Sequence, residues 1–182
     1  LALSDVLRPE AKTIIQQLTA MHIKTILLTG DSHTTARYFA NRVGISEVQA
    51  QLLPEEKVAY ITQLQAAGRT VCMIGDGVND SPALSEADAG IAIGTGAAIA
   101  KEIADITISS EDLFELVTLR KLSKALMERI DRNYRFIVGF NLGLIICGVS
   151  GVMLPTTSAL LHNMSTLAIS LHSMTNLLPE EE

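Results

Sequence analysis

The sequence predicts an α/β chain: a parallel β-sheet flanked by helices, followed by an α-helical membrane hairpin. Three observations predict it. Residues 1 to about 110 alternate helix-like and strand-like segments with short connections, the pattern of a parallel sheet with helices on both faces. All 14 Lys and Arg lie at or before Arg135. Residues 136–179, 44 in a row, contain no Asp, Glu, Lys or Arg.

The elements follow in order. Pro9 suits a helix's first turn, and residues 11–21 place apolar side chains on one helical face. Residues 24–28 are a short β-branched and apolar run that ends in the turn Thr29-Gly30-Asp31. Residues 34–43 read as a helix stopped by Gly44, and 54–67 as a second helix with Pro at its start and Gly after its end. A strand over 70–74 runs into Gly75-Asp76-Gly77. Further strands are predicted at 90–93 and 106–108, with a helix over 97–103 between them. Residues 111–135 form a charged amphipathic helix, and Arg120, Lys121, Lys124, Arg129, Arg132 and Arg135 put six positive charges into its last sixteen residues. The organisation is therefore 1–115 for the α/β part, 116–135 for a basic linker helix, and 136–179 for two membrane helices.

Composition narrows the function classes. The 182 residues are 48% hydrophobic and 19% charged, which excludes a disordered tail, a collagen-like repeat or a low-complexity linker. Up to Arg135 fourteen basic residues face seventeen acidic ones, a net −3, so no nucleic-acid partner is expected. Cys72 and Cys147 stand far apart in apolar surroundings and read as buried free thiols. The chain begins with Leu1, shows no signal-peptide pattern, and reads as the back part of something longer.

As helix, the charge-free run would span roughly 66 Å, about twice a hydrocarbon core of ~30 Å. Two spans fit, 136–154 and 156–178, broken near Pro155. The basic cluster before the first span suits the cytoplasmic side, which puts both ends of the pair there. The expectation is a multi-pass membrane protein with its catalytic part in the cytoplasm. The competing reading is a buried helical hairpin in a soluble protein, but 136–154 has almost no polar face.

Ligands of doubly wound sheets sit off the carboxyl ends of the strands. Thr29-Gly30-Asp31 and Gly75-Asp76-Gly77-Val78-Asn79-Asp80 fall there, and Lys57 sits in the first turns of the helix that starts at Pro54. Glycines let backbone approach a phosphate, a carboxylate such as Asp76 suits Mg²⁺, and a Lys offsets phosphoryl charge. Taken singly these are ordinary turns and a solvated Lys. Taken together, on a parallel α/β pattern, they are a phosphoryl-handling set.

Thr29-Gly30-Asp31, Leu53-Pro54-Glu55-Glu56-Lys57 and the run from Gly75 through Asp80 to Ser81-Pro82-Ala83-Leu84 resemble the distal half of a P-type ATPase phosphorylation domain, a haloacid-dehalogenase-like fold. Asp5-Val6-Leu7-Arg8-Pro9 resembles the stretch that leads back into that domain. Two membrane spans directly after it resemble the heavy-metal-transporting branch. The resemblance implies an ATP-driven transition-metal cation pump working through an aspartyl-phosphate. It implies that Asp76 holds Mg²⁺, that Lys57 and Thr29 contact the phosphoryl group, and that Asn79 and Asp80 orient Lys57. Gly30 and Asp31 would lie near ATP, and Gly75 and Gly77 would let backbone close on the phosphates.

The nucleophile of the family, the Asp of Asp-Lys-Thr-Gly-Thr, is not in this chain. The expected partners are therefore ATP, a metal ion, the lipid bilayer and the rest of the same polypeptide: actuator domain, nucleotide-binding domain and earlier membrane helices. A sheet without its nucleophile strand would carry unpaired edges.

In the second span, His162, Ser165 and Thr166 share one helical face and are candidate ligands of the transported metal. Interhelical packing glue is the other reading of the same residues. The stretch His162-Asn163-Met164-Ser165-Thr166 is similar in outline to the His-Glu-Gly-Gly-Thr of cobalt- and iron-type pumps but lacks its Glu, so Zn, Co, Fe, Mn and Cu all stay open. His172 is expected at the membrane interface. Two rivals to the pump are a membrane-anchored phosphatase of the same fold and a non-catalytic membrane-anchored interaction module.

Overall fold

The apolar runs of the first half become strands, and the amphipathic stretches between them become helices. The computed structural model describes residues 6–75, 78–94, 102–109 and 112–178. The chain divides into two compact units, 1–117 and 118–182. In order, the first unit runs α1 (Ala11–Ala20), β1 (Ile26–Leu28), α2 (His33–Val43), β2 (Glu47–Gln49), α3 (Pro54–Ala66), β3 (Cys72–Gly75), a 3₁₀ turn (Val78–Asp80), α4 (Ser81–Glu86), β4 (Ala89–Ile93) and β5 (Ile106–Ile108). Two long helices follow, α5 (Glu115–Val149) and α6 (Pro155–Ser173). Of the helix expected over 97–103, only residues 102–103 are described, and they are helical.

Local chemistry sets the helix ends. Ser32 caps α2 by accepting from the Thr35 N–H at 3.3 Å, and Gly44 ends it at φ +90°, a left-handed conformation glycine adopts without cost. Pro54 starts α3 where its missing N–H is no loss. The Leu53 N–H just before it donates to the Glu56 carboxylate at 2.8 Å.

All pairing among the described strands is parallel, but it forms two sheets rather than one. β1 pairs with β2, with Leu27 opposite Val48, and β3-β4-β5 form the other, with Ile74 opposite Ile91 and Ala92 opposite Thr107. Both sheets feed one hydrophobic core. Ile61, Met73, Ala83 and Leu84 are buried there, and Leu28 of β1 packs against them. Thus β1 and β3 share a core without sharing a hydrogen bond, and each has one bare edge among the described residues. One expectation is overturned: Cys72 is exposed rather than buried, and Ile74, which shares its face of β3 opposite buried Met73, is 38% exposed, while Cys147 is half-buried. On the other side of β3 the fit is tight. A Cβ on Gly90 would lie 2.5 Å from the Leu84 carbonyl oxygen, so only glycine lets α4 pack on β4.

In the second unit the composition break at Arg135 is not a break in the backbone. The basic segment and the first apolar segment are one continuous helix, α5, which ends at Val149, five residues before the predicted boundary. The charge-free part of α5 is 14 residues, about 21 Å of helix. α6 begins at Pro155 as expected but carries His162, Asn163, His172 and several hydroxyls. No helix among the described residues is long and apolar enough to cross a membrane, so the two predicted spans are not seen as such.

Candidate functional site

The site grows from the carboxyl ends of β1 and β3. The Thr29 N–H donates to the Gln49 carbonyl at 3.0 Å, and the Thr29 carbonyl accepts from Leu52 N–H at 3.0 Å. The Asp31 carbonyl accepts from Gln51 N–H at 2.8 Å. Gln51 makes that bond from φ +58°, a conformation rarely taken by a non-glycine residue. The β1 loop is thereby laced to residues 49–52, which lead directly into α3 and Lys57. The Thr29 hydroxyl donates to the Asp31 carboxylate at 2.9 Å and accepts from the Asp31 N–H at 3.1 Å. Thr29, Gly30 and Asp31 thus form one self-bonded turn.

Lys57 reaches from α3 to the 3₁₀ turn after β3. Its ammonium donates to Asp80 Oδ1 at 2.7 Å, with side-chain exposures of 13% and 17%. Gly75, the last residue of β3, presses against the same Asp80: a Cβ there would lie 2.7 Å from the Asp80 Cβ. Asn79, in the same turn, is exposed. Lys57, Gly75 and Asp80 are therefore brought together. Asp76 and Gly77, which the sequence places between them, lie outside the described residues.

Two further features escape sequence reasoning. Ser81 is buried, and its hydroxyl has no hydrogen-bond partner among the described residues. A cavity of about 300 Å³ opens beside Gly75 and Asp80, lined also by Arg8, Ile74, Ile93 and Leu113. Arg8 adds a cation to that wall, an assembly without a local sequence signal.

The frame behind Lys57 is held by a polar cluster. Tyr60 of α3 donates to Glu47 of β2 at 2.5 Å, and Lys24 pairs with the same carboxylate. Hydrogen bonds from Lys24 first, then Tyr60, hold the Glu47 carboxyl below its usual range, and bonding to Glu47 pushes the Tyr60 hydroxyl up.

In the second unit, His162 Nδ1 lies 2.8 Å from Asn141 Oδ1 of α5. The Ser165 and Thr166 hydroxyls both donate to the His162 carbonyl, at 2.8 and 3.1 Å. These hydroxyls satisfy the helix's own backbone and keep their lone pairs open as acceptors. His172 lines a second cavity with Arg132, Asn133 and Phe136. Among the described residues no group of three or more His, Cys, Asp or Glu is placed to hold a metal. A metal set here would be one imidazole with neutral oxygens.

The strand ends of this parallel α/β unit thus carry a Thr turn, a Lys–Asp pair and a close glycine. The family profile of haloacid dehalogenase-like hydrolases matches residues 1–88. The copper-exporting P-type ATPase of Staphylococcus saprophyticus is 42% identical over 92% of this chain, which covers 21% of that protein. Copper-transporting ATPase 1 of Mus musculus is 42% identical over 96% of this chain and 12% of its own length. A crystal structure of a zinc-transporting PIB-type ATPase in the E2.Pi state superposes with a TM-score of 0.88 at 32% identity, covering 95% of this chain and 28% of that one. The chain belongs to the heavy-metal-transporting P-type ATPases. It spans 12% to 28% of the length of these relatives.

Proposed function

We propose that this chain is the C-terminal portion of an ATP-driven transition-metal pump: the distal half of its phosphorylation domain, joined through α5 to its last two membrane helices. The observation that carries the reading is the Lys57–Asp80 pair, mostly buried and pressed on Gly75 at the end of β3. Asp80 offsets the cost of holding this ammonium in a mostly buried setting, and a positive charge kept at a strand end is suited to neutralising an arriving phosphoryl group. Asp80 keeps Lys57 aimed. The Thr29 hydroxyl, freed from Asp31, can donate to a phosphoryl oxygen. The orphaned Ser81 hydroxyl adds a polar atom beside Asp80 that lacks a partner.

Mg²⁺ would be held by the carboxylate of Asp76, a hard oxygen ligand that follows β3 in the sequence, and when bound would offset charge on the phosphoryl oxygens. ATP would be received at the same end, with Gly30 and Asp31 as the residues offered to it. The bare edges of β1 and β3, facing one core, have the character of a slot for one further strand, the one bearing the nucleophilic Asp of the longer protein.

For the second unit the reading is a membrane position with the first unit cytoplasmic. Phe136, Leu142, Ile145, Ile146 and Leu167 are each more than half exposed, apolar surface that water disfavours and lipid or further helices accept. His162, with Asn141 on its Nδ1, leaves Nε2 for a transported ion, and Ser165 and Thr166 offer oxygens on the same face. The relatives' names point to copper and zinc within the open set. A lone phosphatase or a non-catalytic module is not favoured, since the relatives aligned along nine-tenths of this chain are pumps by name.

The test is Asp76→Asn in the complete protein. Mg²⁺-dependent labelling from radioactive ATP is expected to vanish, and normal labelling would sink the assignment.

A further inference from the structure

The six positive charges before the apolar segment need not all serve one purpose. Lys124 lies 3.9 Å from Glu128 and Arg135 lies 2.6 Å from Asp131, each one helical turn apart on α5. Arg129 does something else. Its Nη1 donates to the Ser173 and Thr175 carbonyls at 3.1 and 2.6 Å, and its Nη2 to the Asn176 carbonyl at 2.9 Å. One turn further along the same face, Asn133 Nδ2 donates to Ser173 Oγ at 2.9 Å.

A helix leaves its last carbonyls without partners and carries partial negative charge at that end. A guanidinium is a rigid fork with five donors and a permanent charge, suited to several oxygens at once. Ser173 is the last residue of α6, and Thr175 and Asn176 follow it. Arg129 therefore caps α6 from a neighbouring helix.

We propose that Arg129, backed by Asn133, is the positioning residue that fixes the end of α6 against α5 and so sets the height of His162. It rests on the reading that His162 faces the transported ion. Among the described residues the polar ties between the two helices include this clamp and the Asn141–His162 bond. His162 lies eleven residues, about 16 Å, up α6 from Ser173. A pin at one end and a single hydrogen bond higher up define a register, and without the pin α6 can slide or fray.

The experiment uses the complete protein in lipid nanodiscs, with Arg129→Ala, Arg129→Lys and His162→Ala. Hydrogen exchange is read over residues 170–178, and phosphoenzyme formation from ATP is titrated with copper(I) and, separately, with zinc(II). Charge-assisted hydrogen bonds are each worth about tenfold, so Arg129→Ala should speed exchange over 170–178 by about tenfold or more, with Arg129→Lys in between. The metal needed for half-maximal phosphorylation should rise in Arg129→Ala and in His162→Ala, with the KM for ATP unchanged. Unchanged exchange in Arg129→Ala overturns the clamp. Faster exchange with unaltered metal dependence, while His162→Ala shifts it, overturns the positioning role. Faster exchange with no shift in His162→Ala upholds the clamp and refutes the metal reading beneath it.

Discussion

The two units hold themselves together by opposite means. Fourteen of the fifteen buried apolar residues among those described lie in 1–117, with Ile61 and Leu84 each 1% exposed. Among the described residues beyond 117 only Leu144 is buried, and α6 buries nothing. There the apolar side chains point outward, and the ties between helices are polar: Arg129 and Asn133 to the end of α6, Asn141 to His162. The first unit is organised by excluding water. The second is tied by hydrogen bonds between its helices and leaves its apolar surface exposed, which suits the proposed membrane position, where lipid tails give no hydrophobic drive to pair.

A matched pair of substitutions should expose the contrast. Leu84→Ala removes a fully buried side chain and should cost about 2–5 kcal/mol. Leu142→Ala acts on a side chain 55% exposed, in a helix where alanine is the best former, and should cost less than about 1 kcal/mol. Hydrogen exchange on the complete protein, read separately over the two regions, makes the comparison. Equal losses would mean the hairpin has a core of its own after all.

The smallest expected effect is a pH dependence in the first unit. Glu47 is held below its ordinary value near 4.5, mainly by the hydrogen bond from Lys24 and then by that from Tyr60. A carboxyl depressed in the fold adds stability that is fully present above its unfolded value and lost as pH falls through the lower folded one. Between about pH 5 and pH 3 the β2–α3 region should weaken, and Tyr60→Phe should flatten that loss. The group is at the surface, so the change should stay below about 1 kcal/mol. An acid profile unmoved by Tyr60→Phe would remove Tyr60 from the cluster's energetics.

What the sequence made legible, and what it hid, divides along the same line. Strands such as Ile106–Ile108 and the end of α2 at Gly44 are local events, written in β-branched runs and in one residue that tolerates a positive φ. β2 went unseen because Glu-Val-Gln has no pattern of its own and becomes a strand only by pairing with β1. α4 is six residues, too short for periodicity to declare. The open sheet was legible, because the missing Asp-Lys-Thr-Gly-Thr implied an absent strand. The cap on α6 was not. Charge patterning assigns Arg129 to a membrane face, and nothing local says that it meets carbonyls 44 to 47 residues away. Likewise the Lys57–Asp80 contact joins residues 23 apart, and only a known motif could anticipate it.

The central claim is that this pair is the phosphoryl end of a pump, and Lys57 tests it most directly. In the complete protein, Lys57→Ala should lower the rate of phosphoenzyme formation from ATP by about a hundredfold or more, the size of loss seen when one charge-stabilising group is removed from an active site. Binding of the transported metal should be unchanged. Phosphoenzyme formed at the parental rate in a folded Lys57→Ala protein would contradict the account, and would leave the Lys57–Asp80 pair a structural salt bridge.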